Sequence, residues 1–136
     1  MTHSEFQLRP VGIVRSALTD IRDCPRQENE DAPGAWIDID REYSEALKGL
    51  RAGDEILIMT WLHLADRSIL MVHPRGNPEN PMRGVFATRS PHRPNPIGLH
   101  RTHILSVESP HRLHVRPLEV VDKTPVVDIK PFLSRH

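Results

Sequence analysis

The segment formed by residues 89–98 combines a stiff backbone with side chains that bind polar ligands. It reads Arg-Ser-Pro-His-Arg-Pro-Asn-Pro-Ile-Gly. Each proline fixes φ at about −65° and restricts the preceding residue, so the segment loses little conformational entropy when it binds a ligand. Arg89 and Arg93 can hold phosphate or carboxylate through paired hydrogen bonds. Asn95, held extended between two prolines, can pair with an edge of adenine. The alternative is a stiff connector with solvated arginines.

Charge is unevenly distributed along the chain. Lys plus Arg and Asp plus Glu both number 18, and this balance argues against a strong general nucleic-acid binder. Residues 20–55 carry 11 acids and 5 bases, whereas residues 83–116 carry 6 arginines, five histidines and one acid. A cluster of arginines without lysine suits planar contacts with phosphate or carboxylate. Solvated strand faces are the alternative explanation of the charge pattern.

The histidines and the cysteine raise two further hypotheses. His100 and His103 are three residues apart, as are His111 and His114. On strands such pairs point to opposite faces, so no metal site is predicted, and a metal-binding barrel is kept only as an alternative. The one cysteine, Cys24, excludes an intramolecular disulfide and multi-cysteine zinc sites. We expect it to be a small loop residue; the alternative is a nucleophile, although no histidine is obviously paired with it.

The elements that must position these side chains are mostly strands. Thirteen prolines leave room for one short helix, over residues 41–50, with Asp40 as a possible N-cap. The apolar run 55–64 predicts a strand buried on both faces. In the segment 112–121, alternation places Leu113 and Val115 on one face and His114 and Arg116 on the other. The β-rich segments are 8–16, 36–39, 55–64, 68–73, 84–88, 97–107, 112–121 and 125–129. They predict a mainly β fold, a small closed or nearly closed antiparallel β-barrel with long loops and at most one short helix.

Length and hydropathy predict one domain outside the membrane. The 136 residues are expected to form a single domain, 1–136, without a C-terminal extension. The N-terminal residues lack the apolar stretch of a signal peptide, and no run approaches the roughly 18 apolar residues of a membrane helix. We therefore expect a cytoplasmic protein with no membrane partner.

Several segments together resemble a known family. The first pieces are Gly84-Val-Phe-Ala-Thr-Arg-Ser90 and Arg93-Pro-Asn-Pro-Ile-Gly98. The others are Asp122-Lys-Thr-Pro-Val-Val-Asp-Ile-Lys-Pro-Phe132, Pro25-Arg-Gln27 and the opening strand Pro10-Val-Gly-Ile-Val-Arg-Ser16. Over nearly its whole length, and in the same order, the chain resembles the TsaA-like (YaeB-like, TrmO-type) tRNA methyltransferase family.

The resemblance implies a dimeric β-barrel enzyme that uses S-adenosylmethionine. Such an enzyme methylates N6 of threonylcarbamoyl-adenosine at position 37 of tRNA. The absence of a Gly-x-Gly-x-x-Gly sequence after a strand is consistent with a cofactor site of another type. Carried over residue by residue, the cofactor site falls on Pro25, Arg26, Gln27, His63, Leu64, Arg89, Leu99, Asp122, Lys123, Thr124 and Pro125. Arg93 and Asn95 are the substrate-binding candidates.

Each of these residues has a possible role toward the cofactor. Arg26 or Arg89 could bind its carboxylate through paired hydrogen bonds, and Gln27 could hydrogen-bond to its adenine. Leu64 and Leu99 could wall the purine. Asp122 is a candidate to face the ribose or the sulfonium. The alternatives are a core position for Leu99, a turn acceptor for Asp122 and a buried core histidine for His63.

Methyl transfer from a sulfonium requires alignment more than activation of the donor. The enzyme gains by holding nitrogen, methyl carbon and sulfur in line. A carbamoylated N6 needs a hydrogen bond or a base, and Asn95, Asp122 and Asp128 are the candidates.

Two departures from the family pattern bear on the acceptor. Lys123 replaces the family glycine, and His73-Pro-Arg-Gly76 stands where longer relatives have Arg-Pro-Pro-Arg. The alternative function is therefore an S-adenosylmethionine-binding protein, or a methyltransferase for a different small substrate.

Overall fold

The structure, a computed structural model, describes residues 5–18, 33–108 and 110–133. The cofactor loop that the resemblance implies lies outside the described residues. It contains Cys24, Pro25, Arg26 and Gln27. In the described part, no helix is both long enough and apolar enough to cross a membrane.

Six strands close into an antiparallel barrel, as the sequence predicts. The barrel strands are β1 (Gly12–Arg15), β2 (Ala35–Ile39), β3 (Glu55–Trp61), β6 (Ile97–Glu108), β7 (Arg112–Arg116) and β8 (Pro125–Pro131). Their order around the barrel is β1-β2-β7-β6-β3-β8, and β8 pairs with both β3 and β1. A separate antiparallel pair consists of β4 (Met71–Val72) and β5 (Arg83–Gly84).

The predicted helix is present as a 3-10 helix, Arg41–Leu47. Asp40 occupies the N-cap position, but its side chain makes no capping hydrogen bond. Leu47 is the buried residue of the helix, so packing supports only a short segment. The other helical segments in the described part are single 3-10 turns, Pro74–Gly76 and Val85–Ala87.

Burial along β3 corrects the expectation of a strand covered on both faces. Ile56, Ile58 and Thr60 point into the barrel and are 0% exposed, whereas Leu57 and Met59 are only half-buried. A closed barrel has one interior and no second layer over its outer face, so an apolar run does not imply burial on both sides.

The core follows from the same alternation on the other strands. Leu113 and Val115 of β7 are buried beside Ile37, while His114 and Arg116 face outward, as predicted. His114 stacks on Trp36 with ring centroids 4.3 Å apart.

Five predicted strands are shorter than expected. Residues 8–16 supply only Gly12–Arg15, and residues 55–64 only Glu55–Trp61. Residues 68–73 supply only Met71–Val72, and residues 84–88 form the end of β5 and a 3-10 turn. Residues 112–121 leave the sheet after Arg116, where a cis peptide bond precedes Pro117. The two prolines of these segments, Pro10 and Pro117, lie outside the strands, where the missing proline N–H is tolerated.

Antiparallel closure brings three long connections to one end of the barrel. Residues 16–34, 62–96 and 117–124 link β1 to β2, β3 to β6 and β7 to β8, and all three leave from this end. We call it the site end. The connections formed by residues 40–54 and 109–111 lie at the opposite end.

Candidate ligand-binding site

A groove of about 680 Å³ opens beside the site end. Its walls combine Trp61 and Ile97, at the ends of paired strands, with Asn95 and Arg67 from the connection between them. The remaining lining residues are Phe6, Leu8, Pro10, Pro125 and Val127. Pockets of roughly 300–1,000 Å³, mostly apolar with a few fixed polar groups, are typical of small-molecule sites. The groove therefore has the size and composition of a ligand site.

Arg67 fixes the orientation of Asn95. Its Nε donates a hydrogen bond of 2.7 Å to the Pro94 carbonyl, and its Nη2 donates one of 3.2 Å to Asn95 Oδ1. The guanidinium also lies 5.2 Å from the centre of the Trp61 ring. Because arginine has no acceptor, the amide oxygen of Asn95 must face Arg67. Asn95 therefore presents its NH₂ group, a donor, to a ligand.

A second hydrogen bond joins the turn around Arg67 to the proline-rich segment, residues 89–98. The Asp66 amide donates to His92 Nδ1 over 2.9 Å. The Ser68 hydroxyl and backbone amide donate to Asp66 Oδ1 over 2.6 and 2.8 Å, and these bonds lower the pKa of Asp66 below its ordinary value. The carboxylate thus stays ionised and holds the turn, which positions Arg67.

Arg93 is half-buried. Its guanidinium donates to the carbonyls of Val85, Ser90 and Thr88 over 2.9, 3.0 and 3.2 Å. These bonds brace the segment from within. Arg89 is exposed and, within the described part, makes no side-chain hydrogen bond or ion pair. It is the arginine of this segment that is available to an anionic ligand.

Residues 122–124 form a tight turn directly before β8, and hydrogen bonds attach this turn to the end of β1. Asp122 Oδ1 accepts a 3.0 Å bond from the Ser16 amide, and the Lys123 amide donates to the Val14 carbonyl over 2.8 Å. The buried Thr124 hydroxyl donates to Val121 O. Asp122 is therefore the turn acceptor that the sequence left as an alternative. Its second carboxylate oxygen has no hydrogen-bond partner among the described residues.

Lys123 adopts a φ of 71°, in the left-handed region. L-residues with a β-carbon are strained there, by about 1–2 kcal/mol. This geometry explains why glycine suits the position in the family pattern, and the lysine side chain extends outward and is exposed.

Two cofactor candidates lie on the surface, not in the core. Leu99 is 49% exposed on the outer face of β6, and Leu64 is 55% exposed in the connection that follows β3. His63 is also exposed. The alternatives of a core leucine and a core histidine are therefore wrong for these residues, which are accessible to a ligand.

Asp128 lies in the same row of the outer face as Leu99. Met59 of β3 pairs with Leu99 on one side and with Asp128 on the other. Both oxygens of the Asp128 carboxylate are engaged: Oδ1 by the Ile129 amide at 2.9 Å and Oδ2 by Lys130 Nζ at 3.3 Å. Asp128 is thus less available to a substrate than Asp122.

Most arginines of residues 83–116, Arg116 among them, have contacts within the protein. Arg101 donates to Glu55 and lowers the pKa of that carboxyl below its ordinary value. Arg112 pairs with Asp38 at 2.8 Å, and Arg93 braces its own segment. No group of three metal-ligating side chains occurs in the described ranges.

The structure brings together only part of the predicted site. Asn95 and Pro125 line one groove, and Asp122 lies in the turn that leads into Pro125. Arg67 and Trp61 are functional candidates that the sequence did not indicate. The contacts of Arg67 span 27 and 28 residues, so no local pattern could have revealed them.

This closed barrel with a groove at one end defines a small ligand-binding β domain. Residues 13–136 match the family described as the tRNA-methyltransferase O N-terminal domain, and the chain belongs to that family. The family prediction from the sequence is therefore confirmed.

Similar proteins occur in archaea. A probable S-adenosyl-L-methionine-binding protein of Methanothermobacter thermautotrophicus is 43% identical over 132 residues, which cover 97% of this chain and 93% of that protein. An S-adenosyl-L-methionine-binding protein of Archaeoglobus fulgidus is 42% identical over 125 residues, covering 92% of this chain and 88% of that protein.

Solved structures of longer proteins share the fold. TrmO from Pseudomonas aeruginosa superposes with a TM-score of 0.74 at 32% identity, over 98% of this chain and 57% of that one. A further TrmO structure gives a TM-score of 0.75, again at 32% identity, over 98% of this chain and 58% of that one. The chain thus spans just over half the length of the TrmO chains.

Replacing Lys123 by glycine should stabilise the fold. The left-handed strain of about 1–2 kcal/mol is removed, and the backbone entropy of glycine offsets about 0.5–1 kcal/mol of that gain. We expect the free energy of unfolding in urea to rise by about 0.5–1 kcal/mol. The matched control, Lys48→Gly, changes an exposed lysine with φ of −60° and should destabilise. A loss of stability in both variants would contradict the strain at Lys123.

Replacing Arg93 by lysine should destabilise the protein by about 1–3 kcal/mol, since an ammonium cannot reach all three carbonyls. Arg89→Lys is the control and should change stability by less than about 0.5 kcal/mol. The measurement is the free energy of unfolding of both variants in urea. Equal stabilities would show that Arg93 does not brace the segment.

Proposed function

We propose that this protein binds S-adenosylmethionine at the site end and transfers its methyl group to N6 of threonylcarbamoyl-adenosine 37 in tRNA. The observation that carries the proposal is the meeting of Asn95 and Pro125, from different parts of the chain, in one groove. Both belong to the segments through which the chain resembles its family. Membership in the tRNA-methyltransferase O N-terminal domain family and relatives named as S-adenosyl-L-methionine-binding proteins support it.

The available donors and acceptors fit this cofactor. Its methionine part carries a carboxylate, which suits the unpaired guanidinium of Arg89. Its sulfonium and amino group are cationic, and the anionic Asp122 lies in the turn that leads into Pro125, a residue of the groove. Its purine needs an apolar wall, and Leu64 and Leu99 expose large apolar side chains.

When bound, the cofactor supplies an activated methyl group, so the protein's contribution is position and proton handling. Asn95 is held by Arg67 with its NH₂ group outward, and it can donate to an acceptor on the substrate but cannot take a proton from N6. Asp128 is paired with Lys130. Of the three catalytic candidates, Asp122 alone keeps a carboxylate oxygen without a partner in the described part. We assign to it the polarisation of N6–H.

A homodimer and a cytoplasmic location belong to the same proposal. The dimer is supported by the outer face near the end of β6, where Leu105 and Val107 are 47% and 38% exposed beyond Arg101 and His103. Exposed apolar side chains bordered by polar ones are typical of surfaces that pack against another chain. The cytoplasmic location follows from a tRNA acceptor.

The alternative is a protein that binds the cofactor and acts on a different small substrate, or on none. The neutral net charge and the names of the archaeal relatives, which mention binding only, favour it. Salt dependence separates the two, because phosphate contacts make the affinity for tRNA fall steeply with salt.

The test measures cofactor binding and methyl transfer separately in Asp122→Asn. The asparagine oxygen still accepts the Ser16 amide, so stability should change by less than about 1 kcal/mol. Without the carboxylate, methyl transfer should fall about 100-fold or more. Calorimetry with S-adenosylmethionine gives the affinity, and mass spectrometry of nucleosides from threonylcarbamoylated tRNA gives the product.

Asp40→Asn is the matched control, since Asp40 is an exposed carboxylate at the opposite end of the barrel. It should leave both the affinity for S-adenosylmethionine and the rate of methyl transfer unchanged. If the unaltered protein binds S-adenosylmethionine tightly but yields no methylated tRNA, the catalytic proposal fails and the binding role remains. Full activity in Asp122→Asn would refute the role of Asp122 alone.

A further inference from the structure

A second concave site lies apart from the groove, in the connection that joins the short strands β4 and β5. It has a volume of about 360 Å³ and is lined by Pro74, Arg75, Asn80, Pro81 and Arg83. None of these residues was assigned a role by the resemblance to the family. We call it the arginine pocket.

The wall of the arginine pocket is rigid. The Asn80 side-chain amide donates to the Pro74 carbonyl over 2.9 Å, and His73 Nδ1 is hydrogen-bonded to the Asn80 carbonyl at 2.8 Å. The β4–β5 pairing fixes the position of Arg83 opposite Val72. A ligand that enters the pocket thus meets a preformed surface, which keeps the entropic penalty of binding low.

Two cations line this pocket without any partner. Neither Arg75 nor Arg83 makes a side-chain hydrogen bond or ion pair within the described ranges. Between residues 67 and 107 the sequence contains one acid, Glu79, and it does not line the pocket. Two guanidiniums on one concave surface repel each other unless an anion lies between them. The pocket is therefore suited to an oxyanion.

The backbone conformation of Arg75 also supports a ligand site. Its φ of 58° lies in the left-handed region, where a residue with a β-carbon is strained. Glycine would relieve this strain, and Gly76 follows directly with a φ of 65°. Strain of this kind is characteristic of residues whose side chain serves a ligand.

A neighbouring ring indicates which oxyanion binds. Phe86 is 82% exposed, three residues after Arg83. Its turn is anchored by Val85, which is buried and whose carbonyl accepts 2.9 Å bonds from Thr88 Oγ1 and Arg93 Nη2. Unpaired guanidinium groups and an exposed aromatic ring in one short segment are the combination that binds single-stranded RNA, through phosphate contacts and base stacking.

We propose that the arginine pocket holds a backbone phosphate of the RNA acceptor, with an adjoining unpaired base stacked on Phe86. The inference rests on the proposed function, because that function supplies an RNA acceptor. Leu70, Met71 and Met82 are also at least half exposed near this surface, so a second copy of the chain is the competing occupant.

The test measures binding of a fluorescein-labelled RNA stem-loop to the full chain by anisotropy, over a series of salt concentrations. The slope of log affinity against log salt should fall by about 0.7–0.9 for each arginine lost in Arg75→Gly and Arg83→Gln. Phe86→Ala should weaken binding by about tenfold, whereas Phe86→Trp should preserve it. Arg75→Gly should also raise the melting temperature, because the strain is relieved. Only a binding role predicts weaker RNA affinity in a more stable protein.

The controls are Arg51→Gln, an exposed arginine at the opposite end of the barrel, and Leu133→Ala, an exposed apolar residue after β8. Both should bind RNA normally. Unchanged affinity and salt slope in the double variant Arg75→Gly/Arg83→Gln would overturn the inference. So would competition by inorganic phosphate as strong as by unlabelled RNA, or dissociation of a dimer in Phe86→Ala.

Methyl transfer by the same variants separates this inference from the proposed function. Normal kinetics of tRNA methylation in the double variant would leave the proposed function standing and refute the arginine pocket. RNA binding that depends on the pocket, in a protein that makes no methylated tRNA, would support the pocket and refute the catalytic proposal.

Discussion

Closure of the barrel is the constraint on which the rest of the structure depends. Strand β8 pairs with β3 along most of its length and with β1 at its start, so neither neighbour is left as a free edge. In a closed antiparallel sheet, alternate connections must lie at the same end. The three connections of the site end therefore begin and finish at one end of the barrel, and segments far apart in the sequence can build one site.

Convergence alone does not orient side chains, and here arginine supplies the orientation. Arg67 holds the Asn95 amide and the Pro94 carbonyl, and Arg93 gathers three carbonyls of its own segment. Each guanidinium replaces water around backbone groups that have no strand partner. The loop reaches its binding conformation before a ligand arrives, which reduces the entropy lost on binding. The arginines thus serve in two ways. Some, such as Arg93, hold the backbone of the protein in place, and others, such as Arg89, remain available to a ligand.

The fold could be predicted from the sequence because its signals are local. Alternation in β7 correctly separated Leu113 and Val115 from His114 and Arg116, and thirteen prolines correctly limited helix. The burial of β3 was mispredicted, since an apolar run does not reveal how many layers cover a strand.

The site could be predicted only in part, because its contacts are not local. Asn95 was identified from its flanking prolines, but its partner Arg67 lies 28 residues earlier in an ordinary turn. The role of Arg93 as a brace depends on carbonyl positions that no residue pattern encodes. The strain at Lys123 follows from a φ of 71°, which becomes visible only when the turn is built.

The most direct test of the central claim, that the converging connections form the cofactor site, is a titration of the ¹⁵N-labelled protein with S-adenosylmethionine followed by amide chemical shifts. The largest changes should fall on residues 63–67, 89–99 and 122–125, at the site end. Changes concentrated on residues 40–54 and 110–112 would place the cofactor at the opposite end of the barrel and contradict the claim.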